Sequence, residues 1–482
     1  MARRKLSTFE RLQRGERLNR KERREIQQRL SLDDPGLDII HRDAAGIDVG
    51  NESHFVSVPP DRDPQAIREF GSWTAALEEM ARWLKQCRIR TVVMQSTGVY
   101  WIALHDVLQR HGLEVNLVDA RGTKNVPGRK SDVQECQWLR KLHIYGLLRP
   151  CFLPPPEIHA VRTLWRLRIQ HVRDAGRCIQ RMQKALIQMN VQLHIALSDI
   201  SGVSGQAIIR ALLAGERDPK VLAKLRDHRC QASEEEIAQS LQGNWKEDLL
   251  FELQQAVDAY DFYQWQMQQC DQQLRRYMAA LPTRAPMPAP DSASSSPSTK
   301  KGKQGRARKT PGNQPDFDLA TELERILGVN PTTIDGIDVI TIQTILAEVG
   351  PDLGAWKTER HWTSWLNLAP KRDLSGGRVI RHVRQHHTNR AGNAFRMAAQ
   401  SLVRSQSYLG ARYRYFRAKL GGLKAVKAMA RYLACLYYRL LTRGQVWIDR
   451  GSQDFNRRSQ QRELAALERK ARKHGLQLVP AV

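Results

Sequence analysis

The sequence predicts a multidomain protein of class α/β plus α: a layered α/β domain, a helical coiled-coil stalk, and a mostly helical C-terminal domain. Three observations lead there. Between residues 43 and 150, apolar runs of strand length alternate with amphipathic runs of helix length. Between 151 and 281, two long stretches carry apolar residues at alternating spacings of three and four. Between 318 and 450 helical periodicity returns, interrupted by Gly-containing turns.

Composition limits what such a protein does. Its 482 residues suffice for two to four domains, and 77 Lys and Arg against 50 Asp and Glu leave a formal net charge of +27. An excess of that size implies a polyanionic partner. No apolar run approaches the ~18 residues of a membrane span, and Met1-Ala2-Arg3-Arg4-Lys5 has no apolar segment behind it. The seven cysteines are scattered without CxxC pairs, which predicts reduced thiols and argues against a zinc site. The expected class is a cytoplasmic nucleic-acid-binding protein.

Residues 1–42 read as a basic helical arm with Arg17, Arg20, Lys21, Arg23 and Arg24 crowded together, either a solvated helix or a phosphate contact. The α/β domain opens on a β-hairpin over Ala44–Val58 with its turn at Gly50-Asn51. Asp48 lies within the first, apolar strand. A buried carboxylate needs compensation, which either a divalent cation or the hydrogen bonds of the turn supply. Further strands are expected near Ile67–Phe70, Thr91–Thr97 and Val115–Asp119, and helices over Trp73–Cys87 and Tyr100–His111. After the basic turn that holds Arg129 and Lys130, Ser131 caps a last helix. That helix carries Asp132 and Glu135, three apart on one face. With Asp48 in the same domain, these carboxylates suit Mg²⁺ ions that organise a phosphodiester displacement.

The region 151–281 has two heptad seams. One runs Val172, Ala175, Ile179, Met182, Leu186, Met189, Leu193; the other runs from Leu253 to Leu281 with polar Gln264 and Asp271 at seam positions. They pair within one chain or between two, and Arg166, Arg168, Arg173, Arg177 and Arg181 lie on faces open to solvent or to phosphates. Residues 282–317 are a basic, Pro- and Ser-rich linker with little to bury.

In the C-terminal domain, 318–450, the Ile334–Asp338 turn before a helix at Val339–Val349 resembles a helix-hairpin-helix element that offers backbone N–H groups to phosphate. Ser375, before Gly376-Gly377, is expected on a flexible loop. A serine nucleophile there needs its proton removed and phosphate charge neutralised. Arg372, Arg378, Arg381, His382 and Arg384 are the neighbours available, and the histidines read as phosphate contacts. Residues 451–482 form a basic helical tail.

Several stretches resemble one family in its own order. They are Gly46-Ile47-Asp48-Val49-Gly50, Ser96-Thr97-Gly98-Val99-Tyr100-Trp101, Lys124 through Asp132 to Trp138-Leu139, Leu368-Ala369-Pro370, and Ser375-Gly376-Gly377. The chain is similar to the DEDD-type insertion-sequence transposases, RNA-guided recombinases with a RuvC-like N-terminal domain and a C-terminal serine transposase domain. The spacing around Pro127-Gly128-Arg129-Lys130 is closest to the subgroup with a seeker type of bridge RNA.

The resemblance implies an RNase H-like fold holding Mg²⁺ at four acidic positions. Asp48 fits the first and Asp132 the third, Glu135 replaces Asp at the fourth, and Gln95 stands where the second has Glu. Gln95 lends a neutral oxygen without charge; Asp119 or Glu52 are the alternatives. The family mechanism implies a guide RNA paired with donor and target DNA and a homo-oligomer, dimer or tetramer. It further implies a covalent Ser375–DNA intermediate. A metal-dependent junction endonuclease and a non-catalytic nucleic-acid scaffold are the other readings.

Overall fold

The computed structural model describes residues 8–13, 20–31, 36–119, 131–285, 313–375, 378–383, 389–444 and 451–477. They form two compact units, Met1–Leu153 and Pro154–Val482. Arg129, Lys130, Arg384 and most of the 282–317 linker lie outside the described residues.

The first unit begins with helices α1 (Thr8–Gln13) and α2 (Arg20–Ser31). It continues with strands β1 (Ala44–Val49), β2 (Ser53–Ser57) and β3 (Ile67–Gly71), then α3 (Thr74–Gln86), β4 (Thr91–Gln95), α4 (Trp101–Arg110), β5 (Glu114–Val118) and α5 (Asp132–Ile144). The five strands make one mixed sheet in the order β3-β2-β1-β4-β5. β1, β2 and β3 pair antiparallel, joined first by a turn in which the Gly50 N–H donates to the Ser53 carbonyl at 3.1 Å. β4 and β5 add parallel to β1, because each is reached through a crossover helix.

Strand alternation sorts the side chains onto two faces. Ile47, Val49, Val56, Val92, Met94 and Leu117 share a core with Leu77, Met80, Leu84, Leu104 and Leu108 of α3 and α4. On the opposite face Val93 and Val118 pack with Leu139 of α5. α5 lies so close to β1 that a Cβ at Gly46 would stand 2.3 Å from the Cys136 carbonyl oxygen and 2.4 Å from the Arg140 nitrogen. Only glycine admits this approach. The N-terminal arm is not wholly solvated: Phe9, Ile26 and Leu30 are buried with Leu142 and Leu147.

The second unit opens with α6 (Pro156–Gln188), four short helices α7 to α10 (Leu193–Ala196, Val203–Leu213, Pro219–Ala223, Glu234–Ser240) and α11 (Glu247–Ala279). α6 and α11 pair with each other within the chain. They run antiparallel, since Arg168 meets Asp271 and Lys184 meets Glu252. The seam polar residue Asp271 thus has a partner: both side chains are about 95% or more buried, and Arg168 Nη2 donates to Asp271 Oδ2 at 3.1 Å. This corrects the expectation for two of the stalk arginines. Arg168 is enclosed, and Arg166 is taken by Glu348 with hydrogen bonds of 2.8 and 2.6 Å, so neither offers an open cation.

The remaining elements are α12 (Leu319–Leu327), α13 (Val339–Val349), α14 (Glu359–Trp365), β6 (Lys371–Ser375), β7 (Arg378–Val383), α15 (Arg390–Ser401), α16 (Tyr408–Leu420), α17 (Gly422–Arg443) and α18 (Gly451–Lys473). The helix that follows the Ile334–Asp338 turn is capped by a carboxylate. Asp338 caps the helix by accepting from the Thr341 N–H at 2.8 Å, and Ile334 and Ile337 are buried. A carboxylate at that end opposes a phosphate there. The tyrosines set among basic residues are largely core: Tyr408, Tyr413 and Tyr437 are buried, and burial pushes the Tyr437 hydroxyl pKa up. Among the described residues no helix is long and apolar enough to cross a membrane.

Candidate active site

In the first unit Asp48 and Gln95 fall at the C-terminal ends of two interior strands of the sheet. Asp48 is the fifth residue of β1 and shares its face with Gly46, the face that α5 covers. Gln95 ends β4, one residue past Met94, which pairs with Ile47 of β1. Both therefore sit at the C-terminal ends of adjacent parallel strands, where open α/β sheets present their ligands. α5 brings the rest. It runs antiparallel to β4: Glu135 in its first turn meets Gln95, and His143 in its last turn meets Thr91 at 2.9 Å. Its start is held by Ser131, whose Oγ accepts from the Gln134 N–H at 3.3 Å.

Gln95 is buried, and its Nε2 donates to Glu135 Oε1 at 2.5 Å. Asp48 lies close enough to Cys136, one turn along α5 from Asp132, for its charge to act there. Burial, and secondarily the Asp48 carboxylate, push the Cys136 thiol up to about 11. Asp132 is exposed at the first position of α5. Asp119 follows the last residue of β5 and faces a different neighbour. It adds, after burial, to the upward shift of the Cys151 thiol, which packs on the α3–α4 side.

The donor types suit a hard cation, since carboxylate and amide oxygens are what Mg²⁺ takes. The arrangement does not close on one: among the described residues, no three His, Cys, Asp or Glu side chains converge to hold a metal ion. Glu135 is turned to the Gln95 amide instead. The acids are gathered on one face without forming a completed ion site.

Two residues passed over in the sequence belong to this face. Cys136 and Arg140 lie four and eight positions after Asp132, the helical spacing that signals a shared face. Arg140 Nη1 donates to the Val58 carbonyl, and burial lowers the Arg140 pKa. This ties α5 to the end of β2.

In the second unit, Ser375 is not on a loop. It is the last residue of β6 and pairs with Arg378, the first of β7, in an antiparallel hairpin that continues through Asp373–Arg381 and Arg372–His382 with a bulge at Asp373/Leu374. The strand went unforeseen because Lys371-Arg372-Asp373 has none of the apolar alternation that marks a half-buried strand. Arg381 is exposed. The ribbon concentrates Lys371, Arg372, Arg378, Arg381 and His382 on two short strands.

Comparison with known proteins bears on both regions. Residues 45–191, which include the acidic positions, match a transposase family model of DEDD type from the IS110 group. Residues 330–414, which include the hairpin, match the model of the transposase IS116/IS110/IS902 family. No curated protein matches the chain. The acidic positions and the cationic hairpin thus lie in two regions that match transposase models, and the chain carries IS110-family transposase domains.

Proposed function

We propose that the protein is an RNA-guided DNA transposase of an insertion sequence that joins donor and target DNA through a covalent Ser375–DNA intermediate. The observation that carries this reading is the Ser375–Arg378 pair opening a cationic hairpin, inside the match to the IS116/IS110/IS902 transposase model. In the step proposed, Ser375 Oγ attacks a backbone phosphorus. The Oγ–P bond forms, the P–O bond to the leaving strand breaks, and the serine proton leaves to solvent or a nearby base. Arginines such as Arg372, Arg378 and Arg381 neutralise the developing charge. A second hydroxyl then displaces the serine and restores the phosphodiester.

In this reading the first unit's five-stranded mixed sheet, in the order β3-β2-β1-β4-β5, is consistent with an RNase H-like domain. Asp48, Asp132 and Glu135, with Gln95, are the residues that the family likeness would assign to Mg²⁺. Among the described residues they do not bring three such donors together. The domains of this reading are the arm 1–42, the α/β domain 43–150, the stalk 151–281, the linker 282–317 and the serine domain 318–450. Base pairing to guide RNA would supply sequence, while a chain of net charge +27 reads backbone shape. The Gln95–Glu135 hydrogen bond favours, as a second reading, a scaffold that binds nucleic acid without cutting it.

The test is denaturing capture of labelled donor DNA with co-purified RNA present. Wild type should form a protein–DNA adduct that survives denaturation, and Ser375→Ala none while still binding DNA. An adduct retained by Ser375→Ala refutes the serine step. Absence of any discrete small RNA from the purified protein refutes the guide.

A further inference from the structure

The last helix, α18, stands apart from the rest of the unit. It is anchored at its start, where Phe455 is buried between Tyr408 and Tyr415, with ring centroids at 5.1 and 5.9 Å. Beyond that anchor no residue from Asn456 to Lys470 is buried. Over this solvated length the helix packs no apolar face against the chain, and such packing supplies most helix stability, so its conformation suits a partner.

The sequence says which kind. Arg457 to Lys473 hold seven Arg and Lys against two Glu. At about 100° per residue, Arg458, Arg462, Arg469, Arg472 and Lys473 fall within roughly 100° of one another, with Ala465 between them and no acid. Of the two acids, Glu463 lies towards the opposite side, where Leu464 and Leu467 are about half exposed, and Glu468 borders the stripe one turn before Arg472. From Arg462 to Lys473 the cationic stripe spans about 16 Å along the axis at ~1.5 Å per residue. A helix of this diameter enters the major groove of a duplex, where the stripe meets phosphates.

We infer that α18 is a nucleic-acid-binding arm whose Arg462–Lys473 stripe contacts the phosphates of duplex DNA. It does not depend on Ser375 being a nucleophile, and its failure would leave that chemistry untouched. The stripe also lies outside both regions matched to transposase models.

The test uses the full chain with Arg462→Gln, Arg469→Gln, Arg472→Gln and Lys473→Gln combined. Arg458 is kept because it pairs with Asp454 at 2.9 Å, and Gln is a good helix former. Affinity for a 30-base-pair duplex and for a single-stranded RNA is measured across a salt series. The slope of log K against log salt should shrink by about 3.6 on the duplex, about 0.9 for each of the four charges. A Leu464→Asn, Leu467→Asn variant should keep the wild-type slope. An unchanged slope for the quadruple variant overturns the inference, and a change confined to the RNA overturns the duplex assignment. A leucine variant that loses both binding and sedimentation mass shows instead that α18 joins two copies of the chain.

Discussion

Replacing Asp271 by Asn tests whether the stalk is held by a buried charge pair. Arg168 donates from Nε and Nη2 to the two oxygens of Asp271, and from Nη1 to the Asn313 carbonyl at 2.8 Å. The Asp316 N–H also donates to Asp271 Oδ2, at 3.1 Å. The pair thus joins α6 to α11 and pins the C-terminal end of the 282–317 linker. Exposures of 3% and 5% put both groups out of water. Asn keeps the shape but removes the charge and points an NH₂ donor at a guanidinium. The stranded cation should cost about 3–5 kcal/mol. Replacing both partners, Arg168→Met with Asp271→Leu, should come out near wild type or better, because no charge is left in the interface. The assay is urea unfolding of the full chain, followed by tryptophan fluorescence, since Trp165 is buried one turn from Arg168. A loss below about 1 kcal/mol for Asp271→Asn would show that water reaches the pair. A double variant as unstable as the single would show that packing, not stranded charge, is what matters.

Three further outcomes follow from the first unit. Gly46→Ala puts a Cβ into the backbone of α5 and should cost about 3 kcal/mol or more by overpacking, read as a lowered melting temperature. Gln95→Glu replaces the amide donor with a second carboxylate beside Glu135. The variant should melt lower than wild type in chelator and recover in millimolar Mg²⁺, whereas equal Mg²⁺ shifts in both would show that Gln95 does not limit ion binding. His143 is depressed to about 4, by burial first and then by His41. Its neutral form is favoured in the fold, so stability is full above about pH 6.5 and falls as pH drops from there towards 4. The loss should reach about 2 kcal/mol at pH 5. His143→Gln should flatten that window in unfolding titrations at pH 7 and 5.

The local elements were largely legible because each is written in a short-range pattern. Ile47 and Val49 alternating with Gly46 and Asp48 mark a strand with two different faces. The three-and-four spacing from Ala175 to Met189 marks a seam, and Ser131 before Asp132 marks a helix start. The same patterns carried Asp48, Asp132 and Glu135 forward as candidates. What they do not encode is who meets whom. A heptad seam is apolar whether its partner is in the same chain or another, and only the return of α11 along α6 shows that Asp271 neutralises Arg168. The β6–β7 hairpin has no alternation to read, since Lys371-Arg372-Asp373 is charged throughout. Whether Gln95 weakens a metal site or occupies one acid is a matter of distance, and no spacing in sequence fixes a distance between a strand end and a helix start 40 residues on. Sequence determined the identity and local setting of these side chains; tertiary structure decided their partners, because partnership depends on packing between segments that are remote along the chain.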